Sequence, residues 1–575
     1  MTSISPRDGE NSEASDRRAT PRNVQVTSKT IAGLNGFSAE DARIIELLVS
    51  FFSPSHAITY DFLLRGGSPR KRWTPDGGIE ETDATAAGLS PELTSILSDH
   101  ARLSHALNDL STIVLRKSAQ DYILDEEAAS RIRQDLPSDA QLYWKTQALI
   151  VAYRAIPWKY IEPRSVSSRN IFMLNIIVTS VDARGSNFDV ASILPQLQYV
   201  SQSYEDCLES LSPATRADFV LSLLEASRFP AMAWRRFAIA QAAAAMQGID
   251  HEQAERWYLS SCLGSAQSWL RRLDGEQEAA VEILASFTHQ EQKIAHDRKA
   301  SAATGHLTIQ RALNRYQVDD LHQAEQILQM WRPLGPEASL MEQIVQFRKG
   351  ITLGKVLRTV GRFSEAYEHL KKSYDLAEQS NDLSFDEDRR DLISEMADTL
   401  RELEKPQAAE EYLRKEFVRR QEKGQDPAAS GKSLLEASLA EMLFAQGRTD
   451  EAERLCTETE SRADNLMKMG KLRICIVLAK IRQTRSDHEG ALRYWDEDML
   501  QVARFLGATG RTTRTILLSR RANMRALGLD DSRDQSRLQA AEADALGTPG
   551  GMLYWIAGMR HWQEFLDSGT SWSRM

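Results

Sequence analysis

The stretch LGKVLRTVGRFSEAYEHLKKSYDLA, from Leu353 to Ala377, decides the fold of this chain. Gly354 and Ala366 lie twelve residues apart in it, and Gly361 follows Gly354 by seven residues. Small side chains let two helices approach closely, and glycine readily adopts the positive φ that ends many helices. The stretch therefore predicts two antiparallel helices joined by a short turn.

The same pair of small residues, twelve positions apart, recurs along the chain. The first members of successive pairs are 42, 43, 43 and 39 residues apart, and LAEMLFAQGRTDEAERLCTE repeats the turn glycine as Gly447. A single helical hairpin cannot bury its apolar face alone, so this period predicts a solenoid of stacked hairpins. Besides Gly354 and Ala366, the pairs are Ala312 with Ala324, Ala397 with Ala409, Ala440 with Ala452, and Ala479 with Ala491.

This period and these residue pairs resemble the tetratricopeptide repeat, in the longer variety near 42 residues found in kinesin light chain and fungal receptor-like proteins. The resemblance covers about residues 300–500. A weaker unit with Ala242 and Ala254 is expected before it, and a degenerate one around Leu517–Ala540 after it. It implies an all-α helical-repeat solenoid, in which the first helix of each hairpin lines a concave face.

A second resemblance lies between residues 40 and 160, in the ordered segments LLVSFFSPSHAI, FLLRGG, LNDLSTIVLRKSAQDYIL and LIVAYRAIPW. This part resembles the winged-helix segment of fungal STAND regulatory ATPases, which precedes their tetratricopeptide array. Asp125 stands where that family usually carries a histidine. Because only about 36 residues precede Ser38, we expect the winged-helix and repeat parts without the ATPase module. Residues 111–116 and 121–124 are predicted strands, and Gly66 to Gly88 a predicted exposed loop.

These patterns divide the chain into five predicted regions. They are a disordered tail (1–36), a winged-helix-like module (37–160), a helical linker with degenerate repeats (161–300), tetratricopeptide-like repeats (301–500), and a degenerate repeat with a C-terminal capping helix (501–575). An exposed apolar stripe for a partner is the alternative for the last helix. Its apolar residues at helical spacing are Leu553, Tyr554, Trp555, Met559, Trp562 and Phe565.

Composition narrows the class of protein. The formal net charge of -10 argues against a dedicated nucleic-acid binder, which usually carries a basic surface. The sequence shows no stretch of 18 apolar residues and no secretory leader, so we expect a cytoplasmic protein without a membrane partner, with the nucleus as the alternative location. The cysteines lie too far apart for metal or redox motifs; they are Cys207, Cys262, Cys456 and Cys475.

No pattern in the sequence predicts a catalytic residue, a metal site or a cofactor. Gly431-Lys432-Ser433 matches the end of a phosphate-binding loop, but Asp426 stands where the first glycine of that loop is required. We therefore predict no nucleotide binding there. His289 and His296 lie two helical turns apart without a carboxylate at metal-binding spacing, and we interpret them as solvated helix residues.

The predicted concave face is the remaining candidate site. Its first helices are expected to expose charges of alternating sign, which suits an extended peptide or a helix with complementary charges. Charges that are merely solvated are the alternative. The candidate residues are Arg348, Lys355 and Arg358, then Asp391, Glu395, Asp398 and Glu402, then Phe444, then Arg473 and Lys480.

These observations favour a non-enzymatic scaffold or regulatory protein that binds a protein or peptide partner in the repeat groove. The resemblance to fungal STAND proteins implies an accessory role in a fungal regulatory or biosynthetic pathway. An all-α enzyme with a pocket between the repeats and the N-terminal module is one alternative. A DNA-binding regulator is the other. It would use a basic face around Arg70, Arg116 and Lys117, to which the run Arg70-Lys71-Arg72 would contribute.

Overall fold

The structure is a computed structural model that describes residues 38–110, 113–117, 121–162, 190–229, 231–247, 253–288, 297–423, 432–462, 468–496, 499–500, 510–546 and 556–568. Within these ranges the chain forms 24 α-helices, five short strands and two 3-10 helices (Ala84–Ala87 and Glu205–Ser210). The all-α, helical-repeat fold class predicted from the sequence is confirmed. In the part of the chain that is described, no helix is both long and apolar enough to cross a membrane.

The N-terminal part combines six helices with two small antiparallel sheets. One sheet has the strand order β1-β5-β4, with Ile58 opposite Tyr122, and the other is the β2–β3 hairpin. The two strands predicted near residues 114 and 122 are present as β4 and β5. The elements are α1 (Ser38–Val49), β1 (Ile58–Thr59), α2 (Tyr60–Gly67), β2 (Arg70–Trp73), β3 (Ile79–Thr82), α3 (Pro91–Ser98), α4 (His100–Asn108), β4 (Val114–Lys117), β5 (Asp121–Leu124), α5 (Glu126–Gln134) and α6 (Ser138–Arg154).

The prediction of an exposed loop from Gly66 to Gly88 is wrong, because β2 and β3 pair there and Arg70 is buried. The Arg70 guanidinium donates to the carbonyl of Ile156 (2.9 Å) and to Oγ of Ser222 (3.0 Å), and it lies 4.5 Å from the centre of the Trp158 ring. Neighbouring backbone and an aromatic face therefore satisfy a charge that the sequence placed in solvent. Arg70 cannot belong to an exposed basic face, and the side chains of Arg116 and Lys117 lie outside the described residues.

Five helices connect this part to the main repeats: α7 (Val190–Ser203), α8 (Pro213–Ala226), α9 (Met232–Met246), α10 (Gln253–Leu273) and α11 (Gln277–Ala285). Helix α7 is held to the N-terminal module by the Gln196 side chain. Its Oε1 accepts the Ser53 N–H (2.8 Å), and its Nε2 donates to the carbonyl of His56 (2.9 Å). A buried amide that forms bonds at both ends fixes the position of the helix.

Five helical hairpins follow at the predicted positions. All ten small residues are buried, with the first member of each pair on the first helix and the second on the other. A Cβ atom added to Gly354 would lie 2.5 Å from Leu370, which shows how closely these helices approach. The hairpins are α12 (Arg298–Gln317) with α13 (Leu321–Met330), α14 (Leu340–Thr359) with α15 (Phe363–Gln379), α16 (Asp386–Glu402) with α17 (Pro406–Glu422), α18 (Lys432–Ala445) with α19 (Thr449–Glu460), and α20 (Lys468–Thr484) with α21 (His488–Tyr494).

Each hairpin turns at a residue with positive φ, seven positions after its first small residue. The backbone N–H of the next residue bonds the carbonyl five positions earlier at 2.9–3.0 Å, which satisfies a carbonyl at the end of the first helix. This geometry is the same in all five hairpins although only two have glycine there. The turn residues are Asp319, Gly361, Glu404, Gly447 and Ser486.

A sixth hairpin of the same kind precedes the five and was missed by the sequence analysis. Ser268 on α10 and Ala280 on α11 are buried twelve residues apart, and Gly275 turns between them with a φ of 84°. The pair was not recognised because its first residue is serine, whereas the pattern was defined by alanine or glycine. The turn of the unit predicted at Ala242 and Ala254, at 248–250, lies outside the described residues.

After the five hairpins, the described residues form three more helices: α22 (Arg511–Ala526), α23 (Ser532–Leu546) and α24 (Met559–Ser568). The β2–β3 turn packs against the starts of α12 and α14, the first helices of the first two of the five hairpins. The carbonyl of Pro75 accepts the N–H of Lys299 (3.3 Å), and the carbonyl of Gly77 accepts that of Met341 (3.1 Å). Both donors are second residues of a helix and have no partner within it, so the turn satisfies them.

Candidate functional site on the concave face of the repeats

A contact that skips one hairpin identifies the inner face of the solenoid. Arg473 on α20 lies 2.6 Å from Asp398 on α16, and Ser438 on the intervening α18 donates to the same carboxylate (3.3 Å). Side chains two hairpins apart can meet only where the stack curves inward. The first helices therefore line a concave face.

Part of the predicted set does not lie in solvent. The expectation of exposure is wrong for six residues, whose side chains are buried on the concave face. Phe444 and Lys480 have no accessible surface at all. The buried residues are Arg358, Asp398, Glu402, Phe444, Arg473 and Lys480.

The buried charges form ion pairs between neighbouring hairpins. Arg358 on α14 lies 3.0 Å from Glu395 on α16, and Lys480 on α20 lies 3.0 Å from Glu441 on α18. Burial lowers the pKa of Lys480, and the charge of Glu441 opposes that shift. The charges that alternate in sign along the sequence therefore pair with one another between adjacent hairpins. Each buried charge has a partner of opposite sign inside the stack.

The rest of the predicted set is half-buried and reaches the interior of the groove. The Lys355 side chain is 38% exposed and that of Asp391 47% exposed. The Lys355 ammonium lies 5.0 Å from the centre of the Tyr316 ring and 4.0 Å from Glu395. Because these side chains combine charge with partial exposure, they can form new contacts with a partner.

Arg348, also half-buried, contacts Nδ1 of His306 at 3.1 Å. Burial and the charge of Arg348 lower the pKa of His306 to about 3, so the imidazole is neutral at pH 7 and its Nδ1 can accept this bond. Arg348 therefore keeps its full positive charge within the groove.

A segment of the N-terminal part, residues 157–162, enters this groove. Lys159 Nζ lies 2.6 Å from Asp388, the Tyr160 hydroxyl donates to the other oxygen of Asp388 (2.6 Å), and the Tyr160 carbonyl accepts the Ser384 N–H (2.7 Å). Burial alone would raise the pKa of Asp388, but the charges of Lys159 and Arg348 lower it to about 2. The concave face thus binds an irregular peptide segment through one partly buried carboxylate.

The C-terminal helix α24 occupies the other half of the concave face. The Glu402 carboxylate accepts the Gly558 N–H (2.8 Å) and Nε of Arg560 (3.1 Å). The Trp562 ring lies 6.1 Å from the Phe444 ring, and its Nε1 donates to Oγ of Ser519 on α22 (2.9 Å). The helix therefore packs mainly on α22, and it also contacts α16, α18 and α20.

Helix α24 packs on α22, in the region predicted as the degenerate last repeat, and it also extends over the concave face to α16. The helical spacing of Met559, Trp562 and Phe565 is confirmed, whereas Leu553, Tyr554 and Trp555 lie outside the described residues. The sequence analysis also missed Glu441, Ser519 and His306. Nothing in their local pattern marks them, because their roles depend on contacts between distant hairpins.

The described residues do not support a metal site or a phosphate-binding loop. Among the described residues, no group of three His, Cys, Asp or Glu side chains could hold a metal ion. His289, His296 and Gly431 lie outside the described ranges, and Lys432 and Ser433 begin helix α18. Lys432 pairs with Glu436 at 3.2 Å, a contact between successive turns of one helix.

Comparison with known proteins adds only weak structural similarity. No family model matches the chain, and no curated protein matches it. A solved structure of a STAND (signal transduction ATPase with numerous domains) protein with a tetratricopeptide repeat sensor, from Pyrococcus horikoshii, aligns at a TM-score of 0.42 and 11% identity. The alignment covers 90% of this chain and 66% of that chain, just under two thirds of its length. At that level the similarity carries no argument about function.

Proposed function

We propose that the chain is a non-enzymatic interaction or regulatory protein that binds a protein or peptide partner in the concave face of its helical repeats. One observation supports this most directly. The concave face already holds two segments of its own chain, residues 157–162 and helix α24, through specific side-chain contacts. A surface that recognises both an irregular segment and a helix is suited to protein ligands.

The N-terminal module serves this function as a support rather than as a DNA reader. Its order of helices and strands and its β1-β5-β4 sheet support the winged-helix interpretation. The tip of its β2–β3 hairpin packs on the repeats, and Arg70 is buried. We therefore propose an intramolecular packing role for the module, in a cytoplasmic regulatory or biosynthetic system of fungal type.

The part of the groove between the two bound segments, around Arg348, Lys355 and Asp391, is the proposed partner site. The test neutralises its cations in the full chain as Arg348→Gln with Lys355→Gln, because charge reversal would repel Asp388 and Glu395. The tagged chain captures partners from its native organism, and mass spectrometry quantifies them. We expect a partner to be lost by about tenfold or more from this variant, since charge pairs fix register and association rate.

The matched control neutralises two exposed lysines outside the concave face, Lys372→Gln on α15 with Lys405→Gln before α17. It should capture the same partners as the wild-type chain. Equal capture by both variants would contradict the assignment of the site to this part of the groove.

A further inference from the structure

We propose that α24 is a built-in ligand of the concave face, and that a helix of another protein with the same recognition features displaces it. This inference rests on the proposed function and names the partner class for the C-terminal half of the groove. The three features are a helix N-terminus, a basic residue in the first turn, and a tryptophan two residues later.

The start of α24 is recognised through its backbone. Gly558, with a φ of +77°, donates its N–H to Glu402 (2.8 Å), and its carbonyl lies 3.4 Å from Nζ of Lys480. A carboxylate at a helix N-terminus is favoured by the helix dipole and satisfies an N–H that lacks a partner within the helix. The groove therefore provides a site for a helix start, whichever chain supplies it.

A basic residue in the first turn completes the contact with Glu402. Arg560 donates Nε to the Glu402 carboxylate (3.1 Å) and another guanidinium nitrogen to its carbonyl (3.0 Å). The same guanidinium lies 5.6 Å from the centre of the Phe363 ring. Two acceptors and an aromatic face at one position select arginine over a neutral side chain.

The tryptophan supplies the apolar part of the interface. Trp562 is completely buried, and its ring lies 6.1 Å from the Phe444 ring and 5.9 Å from the Lys480 ammonium. Its Nε1 donates to Ser519 Oγ at 2.9 Å. An aromatic anchor with its polar atom satisfied, beside an arginine, is the usual composition of the most important residues at protein interfaces.

The surface beneath α24 is suited to reversible binding. It carries Glu402, Glu441 and Lys480, whose charges would regain water if the helix left. The small residues that hold the hairpins together, such as Ala397 and Ala440, pack within their own hairpins. We expect the repeats to stay folded with α24 released.

The test uses a fluorescent peptide of residues 556–568 and the full-length chain. Arg560→Glu with Trp562→Ala releases the chain's own α24 by removing two of the three features. We expect the released chain to bind the peptide at least about tenfold more tightly than the wild-type chain, in which the tethered helix competes at millimolar effective concentration. A peptide carrying the same two substitutions is the ligand control.

The site is located by two conservative variants in the released background, Ser519→Ala and Glu402→Gln. Each should weaken peptide binding severalfold. The matched exposed variants Ser364→Ala and Glu411→Gln should leave binding unchanged. A peptide affinity that neither Ser519→Ala nor Glu402→Gln changes would place the peptide elsewhere and overturn the proposal.

Three further outcomes would also overturn it. A released chain that stays helical but does not bind the peptide would make α24 a fixed cap. A released chain that loses its cooperative unfolding transition would make α24 part of the core. A wild-type chain that forms dimers through α24, seen by light scattering and abolished by release, would make a second copy the occupant. None of these results affects the partner site at Arg348 and Lys355, which is tested separately.

Discussion

The turn residues of the hairpins show how one backbone geometry tolerates different side chains. Glu404 adopts a φ of 59° and Gly361 a φ of 86° at equivalent positions. A positive φ costs a non-glycine residue free energy that glycine does not pay. Glu404→Gly should therefore raise the free energy of unfolding by about 0.5–1 kcal/mol, and Gly361→Ala should lower it by about 1 kcal/mol.

Urea denaturation of the two variants, followed by circular dichroism, measures both changes. Gly447→Ala serves as the matched control, because it lies at the same position of another hairpin and should behave like Gly361→Ala. If Glu404→Gly destabilised the chain, the equivalence of the turns would be contradicted.

The buried pair of Arg473 and Asp398 leads to a second prediction at the scale of single residues. Arg473→Met leaves Asp398 buried without its cation, so unfolding free energy should fall by about 3 kcal/mol or more. Adding Asp398→Asn should recover much of this loss, because the amide oxygen can still accept the Ser438 hydroxyl. Denaturation of the single and double variants gives the coupling energy.

The control for this cycle is Arg482→Met, on the same helix α20 as Arg473. It removes a partly exposed ion pair with Glu453 on α19. It should cost less than about 1 kcal/mol. Equal losses from Arg473→Met and Arg482→Met would show that contacts across two hairpins do not tie the stack together.

Helix α24 is predicted to leave the groove in acid. Burial, followed by the charges of Arg401 and Arg560, lowers the pKa of His561 to about 3 in the docked helix. Glu402, Glu441, Lys480 and Glu564 also face it. The released helix would have the ordinary histidine pKa near 6.5, so docking is at full strength above that pH and weakens as the pH falls toward 3.

Between pH 7 and pH 5 this shift should weaken docking about 20-fold. Amide exchange of residues 559–568, corrected for the intrinsic rate at each pH, measures the change. His561→Gln should make the protection nearly independent of pH in this range. A wild-type helix with equal protection at pH 7 and pH 5 would contradict the prediction.

At the scale of helices and hairpins, the sequence predicts contacts between residues that are close together in the chain. The twelve-residue spacing of small side chains predicts each hairpin because it reflects a close approach of two helices that follow one another in the chain. The contact of Gly354 with Leu370 on the second helix is an example. The hairpin at Ser268 was not predicted because the hydroxymethyl side chain of serine takes the place of the alanine methyl group at this position. The exposure of Arg358 and Arg473 was wrong because their partners lie 37 and 75 residues away, and the curvature of the stack brings them together.

For the molecule as a whole, the groove is filled from both ends by its own chain. Residues 157–162 reach Asp388 from more than 220 residues away, and Gly558 reaches Glu402 from 156 residues away. Contacts between residues so far apart in the chain produce no periodic pattern in the sequence. The candidate face could therefore be predicted, but the segments that occupy it could not. The half-exposed charges around Lys355 lie between the two segments and remain the accessible part of the site.

The central claim is that the concave face is a protein-binding surface and that α24 is its resident ligand. Amide hydrogen exchange of Met559–Ser568 in the intact wild-type chain, with and without millimolar 556–568 peptide, tests it most directly. The account predicts slow exchange alone and faster exchange with peptide, while α16, α18 and α20 stay protected. Fast exchange without peptide, or slow exchange that peptide does not change, would contradict it.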